Sequence, residues 1–352
     1  MRAGGHDNPD DAPLPLGKLP AALLARLLAR VPDSPDVLIP AGIGRDAAAV
    51  RVGDQVLVLK SDPVTFATDA VGWYAANVGA NDIACLGAAP RWLLATVLLP
   101  ERGATPALAE RILDDLLAAC RSLGISLVGG HTEITAGLER PIVVGMLAGV
   151  TDPASLIDPR RATAGDVILL ANGIAIEGTA LLARELGGPL TEHFGADFVA
   201  RCREFLYQPG ISVVRAAGVL HGALGQAIHA LHDPTEGGLA TGLGELAAAS
   251  DGGLIVEDDA ILVYPETRAI CHALALDPLG LIASGALLAV VEPTAVESAL
   301  SALHAAGIHA AAIGRLTAKA GHLLLRRGGR EEALPEFRVD ELARYFAARG
   351  AS

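Results

Sequence analysis

The chain has 352 residues and a formal net charge of −13 at neutral pH, and its residues are 51% hydrophobic but only 3% aromatic. That length is enough for two domains with a substantial core. Surfaces that bind nucleic acid need clustered Lys and Arg, so the negative charge argues against a nucleic-acid partner. No apolar run reaches the roughly 18 residues needed to span a bilayer, so we expect no membrane partner either.

The N-terminus and the cysteines indicate where the protein works. Residues 1–17 are polar, rich in Pro and Gly, and lack the apolar centre of a secretory signal, so we expect a flexible tail. The four cysteines, Cys85, Cys120, Cys202 and Cys271, form no Cys-x-x-Cys pair. We therefore expect buried free thiols and a cytoplasmic protein, rather than structural zinc or a disulfide framework.

The first predicted elements are an amphipathic helix and a glycine-rich turn. Apolar residues recur at near-helical spacing over residues 18–31, and Pro32 follows. Gly42 and Gly44 then permit tight backbone geometry, and Asp46 comes just before a pair of strands. Taken alone, the sequence around Asp46 is more typical of a surface turn than of a ligand site.

A strand and a helix of small residues form the centre of the first half. The strand over residues 56–59 ends in Lys60 and Asp62, and a helix follows from about Ala70 to Leu86. Helical spacing places Asp82 in the middle of an apolar stripe. A buried carboxylate is costly unless it is paired, hydrogen-bonded or bound to a cation. Asp82 is therefore either a cation ligand or a cap for a nearby loop, and the helix alone does not decide.

A further polar segment follows an apolar strand at Gly129, Gly130, His131, Thr132 and Glu133. Paired glycines after a strand let a backbone approach a ligand closely. The polar side chains that follow are of the kind that reach a metal ion or its bound water. The alternative is a plain loop between two strands of a meander.

The second half alternates strands with helices, which suggests an α/β domain. The connection TDPASLIDPRRATAGD contains two Asp-Pro steps and many turn formers, so we place the domain boundary near Ile157. The predicted units are an N-terminal domain over residues 18–156, a C-terminal domain over residues 157–335 and a C-terminal helix over residues 336–352.

Several common motifs are absent or do not fit their context. The sequence contains neither a P-loop nor a Gly-x-Ser-x-Gly nucleophile elbow. His229 and His232 lie three apart on a predicted strand, so they point to opposite faces and do not chelate one zinc ion.

What remains is a set of acidic residues at strand ends, at glycine turns and on the small-residue helix. They are Asp46, Asp62, Asp82, Glu133 and Asp233. Carboxylates without a compensating basic cluster suit hard cations, above all Mg²⁺, which binds through one or two carboxylates plus substrate phosphates. Lys60 would then meet a phosphate as a point charge. The sequence alone does not show that these positions converge.

In this order, the polar segments resemble those of the aminoimidazole ribonucleotide synthetase superfamily over about residues 37–325. The matching segments are GRDAAAV at 44–50, KSD at 60–62, NDIA at 81–84, GGHTE at 129–133 and DPTEGGLA at 233–240. The last of them is most similar to the hydrogenase-maturation carbamoyl dehydratase branch. Each motif is weak alone, but five in the right order are a strong signal.

The resemblance implies a two-domain α+β fold. The N-terminal domain would be a β-sheet with flanking helices that forms half of a dimeric barrel, and the C-terminal domain would be α/β. It also implies a homodimer that uses ATP and Mg²⁺. Most members phosphorylate an oxygen, in several cases an amide-type oxygen, by positioning and charge neutralisation.

The resemblance also implies roles for individual residues. The metal ligands would be Asp46, Asp62, Asp82 and Asp233. ATP would be contacted by Lys60, Asn81, Gly129, Gly130 and Thr132. His131 or Glu133 would assist proton transfer or orient the water on the metal.

Some positions depart from the family pattern. Arg45 replaces the first carboxylate of an Asp-Asp pair and His131 replaces an aspartate, so we expect fewer metal ions or a weaker site. The maturation dehydratase is modified on a cysteine at its very C-terminus, whereas this chain ends Ala-Arg-Gly-Ala-Ser and its last cysteine is Cys271. We therefore do not expect a self-modifying dehydratase. Selenophosphate synthetase needs a cysteine or selenocysteine near the N-terminus, and none precedes Cys85.

We predict an ATP- and Mg²⁺-dependent enzyme that transfers a phosphoryl group to an oxygen of a small-molecule substrate, either an amide or carbonyl oxygen or a phosphate oxygen. One alternative is a maturation factor that acts on the thiol of a metalloenzyme partner. Another is a non-catalytic nucleotide-binding protein, which the loss of negative charge at Arg45 and His131 would suit.

Overall fold

The computed structural model describes residue 14 and residues 17–350. These residues fold into two halves, each built on one β-sheet with helices packed against it. The predicted two-domain α+β fold class is confirmed. The tail expected over residues 1–17 lies almost wholly outside the described residues. Of the helices described, none is both long enough and apolar enough to cross a membrane.

The first half forms a six-stranded sheet. Its strands are β1 (Val37–Ile39), β2 (Ala48–Val52), β3 (Gln55–Val64), β4 (Ala89–Pro100), β5 (Ser126–Thr135) and β6 (Ile142–Thr151). They lie in the order β1-β2-β3-β6-β4-β5, and only β4 and β5 run parallel. Strand β5 is therefore at one edge of the sheet.

Three helices belong to this half. They are α1 (Ala21–Leu28), α2 (Val71–Cys85) and α3 (Pro106–Leu123). Helix α3 begins as its sequence predicts, because the Thr105 hydroxyl accepts a hydrogen bond from the Leu108 amide at 3.2 Å. Helix α2 packs on β3, β6 and α3. The prediction for α2 is confirmed to within one residue at each end, whereas α1 is shorter than expected.

The second half forms a seven-stranded sheet. Its strands are β7 (Val167–Ala171), β8 (Ile228–His232), β9 (Gly253–Glu257), β10 (Leu287–Val291), β11 (Ala310–Thr317), β12 (Leu323–Arg327) and β13 (Arg330–Ala333). They lie in the order β13-β12-β9-β11-β7-β10-β8. Only β9 and β12 run parallel, so strand direction differs from that of a typical α/β domain.

Eight helices accompany the second sheet. They are α4 (Ile176–Glu185), α5 (Gly187–Phe194), α6 (Ala196–Glu204), α7 (Val214–Leu224), α8 (Gly238–Ala249), α9 (Pro265–Leu274), α10 (Val296–Ala305) and α11 (Glu341–Gly350). The sequence pattern predicts a helix around Cys271, a strand over Leu287–Val291 and a helix over Ala295–Ala306, and the structure has α9, β10 and α10 there, with α10 one residue shorter at each end. Helix α5 and strands β9 and β13 lie in stretches where the pattern predicts no element.

Helix α2 joins the two halves. Besides its own sheet it contacts α7 and β8 of the second half. The Asn81 amide donates to the Ile211 carbonyl at 2.9 Å and accepts from the Val213 amide at 2.8 Å. The buried core is continuous across this junction, because side chains of α2 and of α4 belong to one cluster. The polar residues of α2 are therefore enclosed by both halves.

Close packing of α2 on α3 depends on a glycine. A Cβ at Gly72 would lie 2.5 Å from the Ile112 carbonyl oxygen and 2.7 Å from the Leu116 backbone nitrogen, both in α3. Backbone atoms cannot rotate aside, so we expect Gly72→Ala to lower the free energy of unfolding by about 1–3 kcal/mol.

Urea denaturation checks this, with Gly218→Ala in α7 as the control. No atom lies within 4 Å of a Cβ at Gly218. The control should gain about 0.5–1 kcal/mol from helix propensity alone. Equal changes in the two variants would contradict the close α2–α3 approach.

Candidate active site

Lys60 and Asp62 point from β3 towards helix α2. Lys60 lies opposite Leu147 and Asp62 opposite Gly145 in the β3–β6 ladder. Residues opposite each other in a ladder face the same side, and Leu147 is fully buried on the helix side. The Lys60 ammonium therefore reaches both neighbouring acids, at 3.2 Å from Asp62 Oδ2 and 3.2 Å from Asp82 Oδ2. The sequence prediction that Asp82 is a buried carboxylate is confirmed.

Asp46 reaches the same region from the turn before β2. Gly44 lets this turn approach α8, since a Cβ there would lie 2.2 Å from the Glu245 carbonyl oxygen. Asp46 Oδ1 then lies 2.6 Å from His232 Nδ1, and His232 Nε2 lies 3.1 Å from Glu245 Oε2. Arg45 turns away and donates to the Pro40 carbonyl at 3.1 Å.

Asp233 completes the group at the end of β8. It is buried, and its Oδ1 accepts a hydrogen bond from the Cys85 thiol at 3.8 Å. Ligand atoms of Asp46, Cys85 and Asp233 all lie within 4.8 Å of one another. We call the four aspartates with Lys60 the acidic cluster: Asp46, Lys60, Asp62, Asp82 and Asp233. Four segments of the chain thus meet. A shared cation site requires this convergence, which the sequence alone does not show.

Burial, together with repulsion among the aspartates of the acidic cluster, raises the pKa of the two most buried ones, Asp82 and Asp233. Burial raises the pKa of Asp82 well above its usual range, and the other three aspartates add to this against the nearby Lys60 ammonium. Burial and Asp46 raise the pKa of Asp233 to about 7, although His232 and Lys60 oppose the rise. Such shifts show that the buried negative charge is only partly compensated.

The two cations of the site keep their charge. Burial alone would lower the pKa of Lys60, but Asp82 and Asp62 outweigh it and raise the pKa. Burial likewise opposes the charged form of His232, yet Asp46 and Glu245 raise its pKa well above the usual range. His232 is therefore an imidazolium held between two carboxylates.

Sequence reasoning considered His232 only as a zinc ligand and so missed this role. His229, three residues earlier, lies 2.7 Å from Asp166 instead. The two histidines therefore have different carboxylate partners. The signal available in the sequence was the position of His232, beside Asp233 at the end of a strand.

Mg²⁺ fits the acidic cluster by donor chemistry. Asp233 Oδ2 is buried with no hydrogen-bond partner in the described part of the chain, and the buried Asp82 Oδ2 has its ion pair with Lys60 at 3.2 Å. Carboxylate oxygens are the ligands that Mg²⁺ prefers. Burial raises the pKa of the Cys85 thiol well above its usual range, so the neighbouring sulfur stays protonated and is not a competing thiolate ligand.

The glycine-rich segment lies apart from the acidic cluster. Gly130 on β5 and Asp62 on β3 lie in the same row of the sheet, with β4 and β6 between them. Three strand spacings separate the two residues, a distance on the order of 14 Å. His131 pairs with Thr96 and Glu133 with Leu98, and these positions alternate with the buried residues of β4. His131 and Glu133 therefore face the side of the sheet opposite Lys60.

On that open side the two residues interact with each other. His131 Nε2 lies 3.2 Å from Glu133 Oε2, and both side chains are exposed. Thr132, between them, points to the helix side and is also exposed. A Cβ at Gly130 would lie 1.9 Å from the Ala95 carbonyl oxygen, so the approach of β4 already explains this glycine. Roles for Gly129, Gly130, His131, Thr132 and Glu133 in ATP chemistry stay predictions.

A cavity of about 750 Å³ adjoins the acidic cluster at Asp62. It lies between the two halves, with Tyr74 of α2 on one side and Glu177 of α4 on the other. A volume of this size is typical of small-molecule sites. The cavity and the acidic cluster share Asp62, so a ligand in the cavity would meet whatever the aspartates hold.

Comparison with protein families identifies both halves. Residues 44–151 match the N-terminal domain of AIR synthase related proteins, and residues 163–324 match their C-terminal domain. The chain belongs to the AIR synthase related family.

Individual members of the AIR synthase related family agree with this. The chain is 31% identical over 284 residues to a carbamoyl dehydratase HypE of Rhizobium leguminosarum bv. viciae, covering 78% of this chain and 77% of that protein. It superposes on hydrogenase maturation protein HypE in complex with ATP with a TM-score of 0.71 and 26% identity, covering 91% and 96% of the two chains. The predictions of the family and of an enzyme are confirmed.

A further neighbour shares the fold. The chain superposes on a HypE–HypF complex structure with a TM-score of 0.71 and 21% identity, covering 90% of this chain and all of that one. The four cysteines of this chain are buried and free, as predicted from their spacing.

The raised pKa of Asp233 predicts how stability depends on pH. An aspartate titrates near 3.9 when unfolded and Asp233 near 7 when folded. Its contribution to stability is therefore fully present below about pH 4 and is lost as the pH rises through 7. In Mg²⁺-free buffer, Asp233→Asn should be more stable than the parent at pH 8, on the order of 2–4 kcal/mol, with a gain that shrinks towards pH 5.

Chemical denaturation at several pH values measures this. Asp54→Asn, in the exposed β2–β3 turn, is the matched control and should change stability by less than about 0.5 kcal/mol. A gain for Asp233→Asn that did not vary with pH would contradict the assigned cause.

Proposed function

We propose that the protein is an ATP- and Mg²⁺-dependent enzyme that transfers a phosphoryl group to an oxygen of a small substrate. One observation carries the proposal: four aspartates interact with only two cations, Lys60 and the His232 imidazolium. Glu245, the other carboxylate beside His232, is balanced by Lys18, so two negative charges remain when all these groups are ionised, which is the charge that one Mg²⁺ balances. The natural ligands are two buried oxygens: Asp82 Oδ2, which is paired with Lys60, and Asp233 Oδ2, which has no hydrogen-bond partner among the described residues.

Each residue of the acidic cluster then has a task. Asp46, Asp82 and Asp233 would hold the ion, and Asp62, half-exposed at the cavity, would face the substrate phosphates. Bound Mg²⁺ supplies charge neutralisation for the phosphates. Lys60 is held between Asp62 and Asp82, from where its ammonium can exchange a carboxylate for a phosphate oxygen.

ATP as the phosphoryl donor is supported by the relatives. The HypE structure that this chain matches at 26% identity was solved with ATP. The Asn81 side-chain amide is occupied by the backbone at Ile211 and Val213, so it would shape the site rather than grip the nucleotide.

Two observations bear on the alternatives. Arg45 donates to Pro40 and leaves the acidic cluster intact, which disfavours a purely non-catalytic protein. All four cysteines are buried, and burial raises the pKa of each thiol. Maturation chemistry on a thiol would therefore need one from a partner protein, and this is the second candidate function.

We further propose that the protein is a homodimer formed by the open face of the first sheet. Helices α2 and α3 pack on the opposite face. Trp92 and Leu94, on the open side of β4, are 40% and 42% exposed although both are large and apolar. Pairing of two such faces would also bury the exposed His131–Glu133 pair at the subunit interface.

The proposed metal role of Asp82 predicts the effect of removing its charge. Asp82→Asn keeps the shape of the side chain but removes a metal ligand, so we expect ATP turnover to fall by about two orders of magnitude or more while the protein stays folded. The measurement is calorimetric titration of ATP with and without Mg²⁺, followed by a phosphate-release assay on the same sample.

The parent protein should show Mg²⁺-dependent binding with slow phosphate release, and so should Asp54→Asn. Unchanged turnover in Asp82→Asn would remove Asp82 from the site. No Mg²⁺-dependent binding by the parent at millimolar ATP would refute the proposed function as a whole.

The proposed dimer predicts a second outcome. Leu94→Glu places a charge in the buried interface, so sedimentation should show a monomer where the parent is a dimer. Leu113→Glu is the matched control, because Leu113 is 47% exposed on α3, away from that face. A parent that sediments as a monomer, or a dimeric Leu94→Glu, would contradict the proposal.

A further inference from the structure

Three polar side chains in the wall of the 750 Å³ cavity each have a buried polar atom without a hydrogen-bond partner among the described residues. They are Tyr74 of α2, Glu177 in the first turn of α4, and Ser284 in the segment before β10. Glu177 is 6% exposed, Tyr74 1% and Ser284 fully buried. Tyr74 Oη, Glu177 Oε2 and Ser284 Oγ all lack a partner among the described residues.

The three groups line one cavity. The Glu177 carboxylate raises the pKa of Tyr74, and the Ser284 hydroxyl and amide lower the pKa of Glu177. A buried polar atom left unpaired destabilises the fold. Three such atoms from three segments, converging on one cavity, indicate a site shaped for a ligand's polar groups rather than for the fold.

We propose that Glu177, Tyr74 and Ser284 form the subsite for the phosphoryl acceptor, and that this acceptor is an uncharged alcohol or a cationic amino alcohol. The inference rests on the proposed function and specifies its substrate class. Glu177 accepts a hydrogen bond from the hydroxyl or ammonium group of the acceptor. The Tyr74 and Ser284 hydroxyls donate to its oxygen.

The charge of the cavity wall excludes anionic acceptors. Its ionisable residues are Lys18, Asp62, Glu139, Arg140, Glu177 and Glu236. Acids therefore outnumber bases two to one, and Lys18 is already paired with Glu245 at 3.1 Å. A phosphorylated or carboxylated acceptor would meet this excess of negative charge, whereas Phe66, Leu181 and Ile282 offer an apolar surface to its carbon skeleton.

Glu177 is also suited to take the acceptor's proton. Burial raises its pKa to about 7, Asp340 and Glu236 add to the rise, and Ser284 opposes it. A base poised near neutral pH is the most effective one. The acceptor oxygen bonds to the γ-phosphorus, the phosphorus–oxygen bond to ADP breaks with its electron pair leaving on ADP, and the hydroxyl proton passes to Glu177.

Three probes of one shape test the charge preference: benzyl alcohol, benzylamine and benzoate, which at pH 8 are neutral, cationic and anionic. Saturation-transfer NMR titrations should show benzylamine and benzyl alcohol binding at least tenfold more tightly than benzoate. Benzoate binding as tightly as benzylamine, or no binding by any probe, would overturn the proposal.

Variants then test the residues. Glu177→Gln should weaken the binding of benzylamine at least tenfold, while the affinity for ATP in the presence of Mg²⁺ stays within twofold of the parent. Glu110→Gln, at an exposed position on α3, is the control and should change neither affinity. Tyr74→Phe should weaken the binding of benzyl alcohol several-fold and raise the melting temperature, because it removes a buried hydroxyl that has no partner among the described residues. Ser284→Ala should also weaken the binding of benzyl alcohol several-fold. Unchanged benzylamine affinity in Glu177→Gln, or a lower melting temperature in Tyr74→Phe, would refute the assignment.

These results separate the subsite from the proposed function. If ATP fails to bind the parent protein but benzylamine binds and depends on Glu177, the phosphoryl-transfer function fails and the cavity remains a binding site. If ATP binds but none of the probes does, the function stands and the acceptor subsite is wrong.

Discussion

The main physical constraint on this structure is the negative charge buried at the junction of its two halves, which the nearby cations neutralise only in part. Asp82 and Asp233 are buried there. Asp233 keeps a carboxylate oxygen without a hydrogen-bond partner among the described residues, and Asp82 Oδ2 is paired with Lys60. Lys60 lies within 3.2 Å of two of the four aspartates and cannot neutralise all of them. Because burying unbalanced charge opposes folding, such an arrangement is expected where a cation completes the site.

The fold holds the buried carboxylates in place by enclosing helix α2, which carries Asp82, on every side. Gly72 allows the close approach of α3, and Asn81 ties α2 to the backbone at Ile211 and Val213 of the second half. The same helix carries Asp82 to the acidic cluster and Tyr74 to the cavity. A change that loosens α2 would therefore disturb both the metal region and the proposed acceptor subsite.

The residues that the sequence revealed are those with a local signature. Asp62 follows the apolar run of residues 56–59, Asp82 interrupts an apolar helix face, and Asp233 precedes a glycine pair, so each stood out without knowledge of its neighbours. The open-side position of His131 depends on the register of β5 against β4, which no local pattern specifies. The partnership of His232 with Asp46 joins residues 186 positions apart, and only the tertiary fold determines such a contact.

The acidic cluster and the cavity divide the chemistry between two kinds of carboxylate. The aspartates lie beside Lys60 and the His232 imidazolium, an arrangement that suits ions and phosphates. Glu177 lies instead among hydroxyls and apolar side chains, where burial raises its pKa to about 7 and it can exchange a proton at neutral pH. Asp62 belongs to both regions, so the phosphate of a bound nucleotide and the oxygen of an acceptor would meet beside it. Phosphoryl transfer to a weakly acidic hydroxyl requires both environments. One set of carboxylates holds the ion beside the phosphates, and the other carboxylate takes the proton of the hydroxyl.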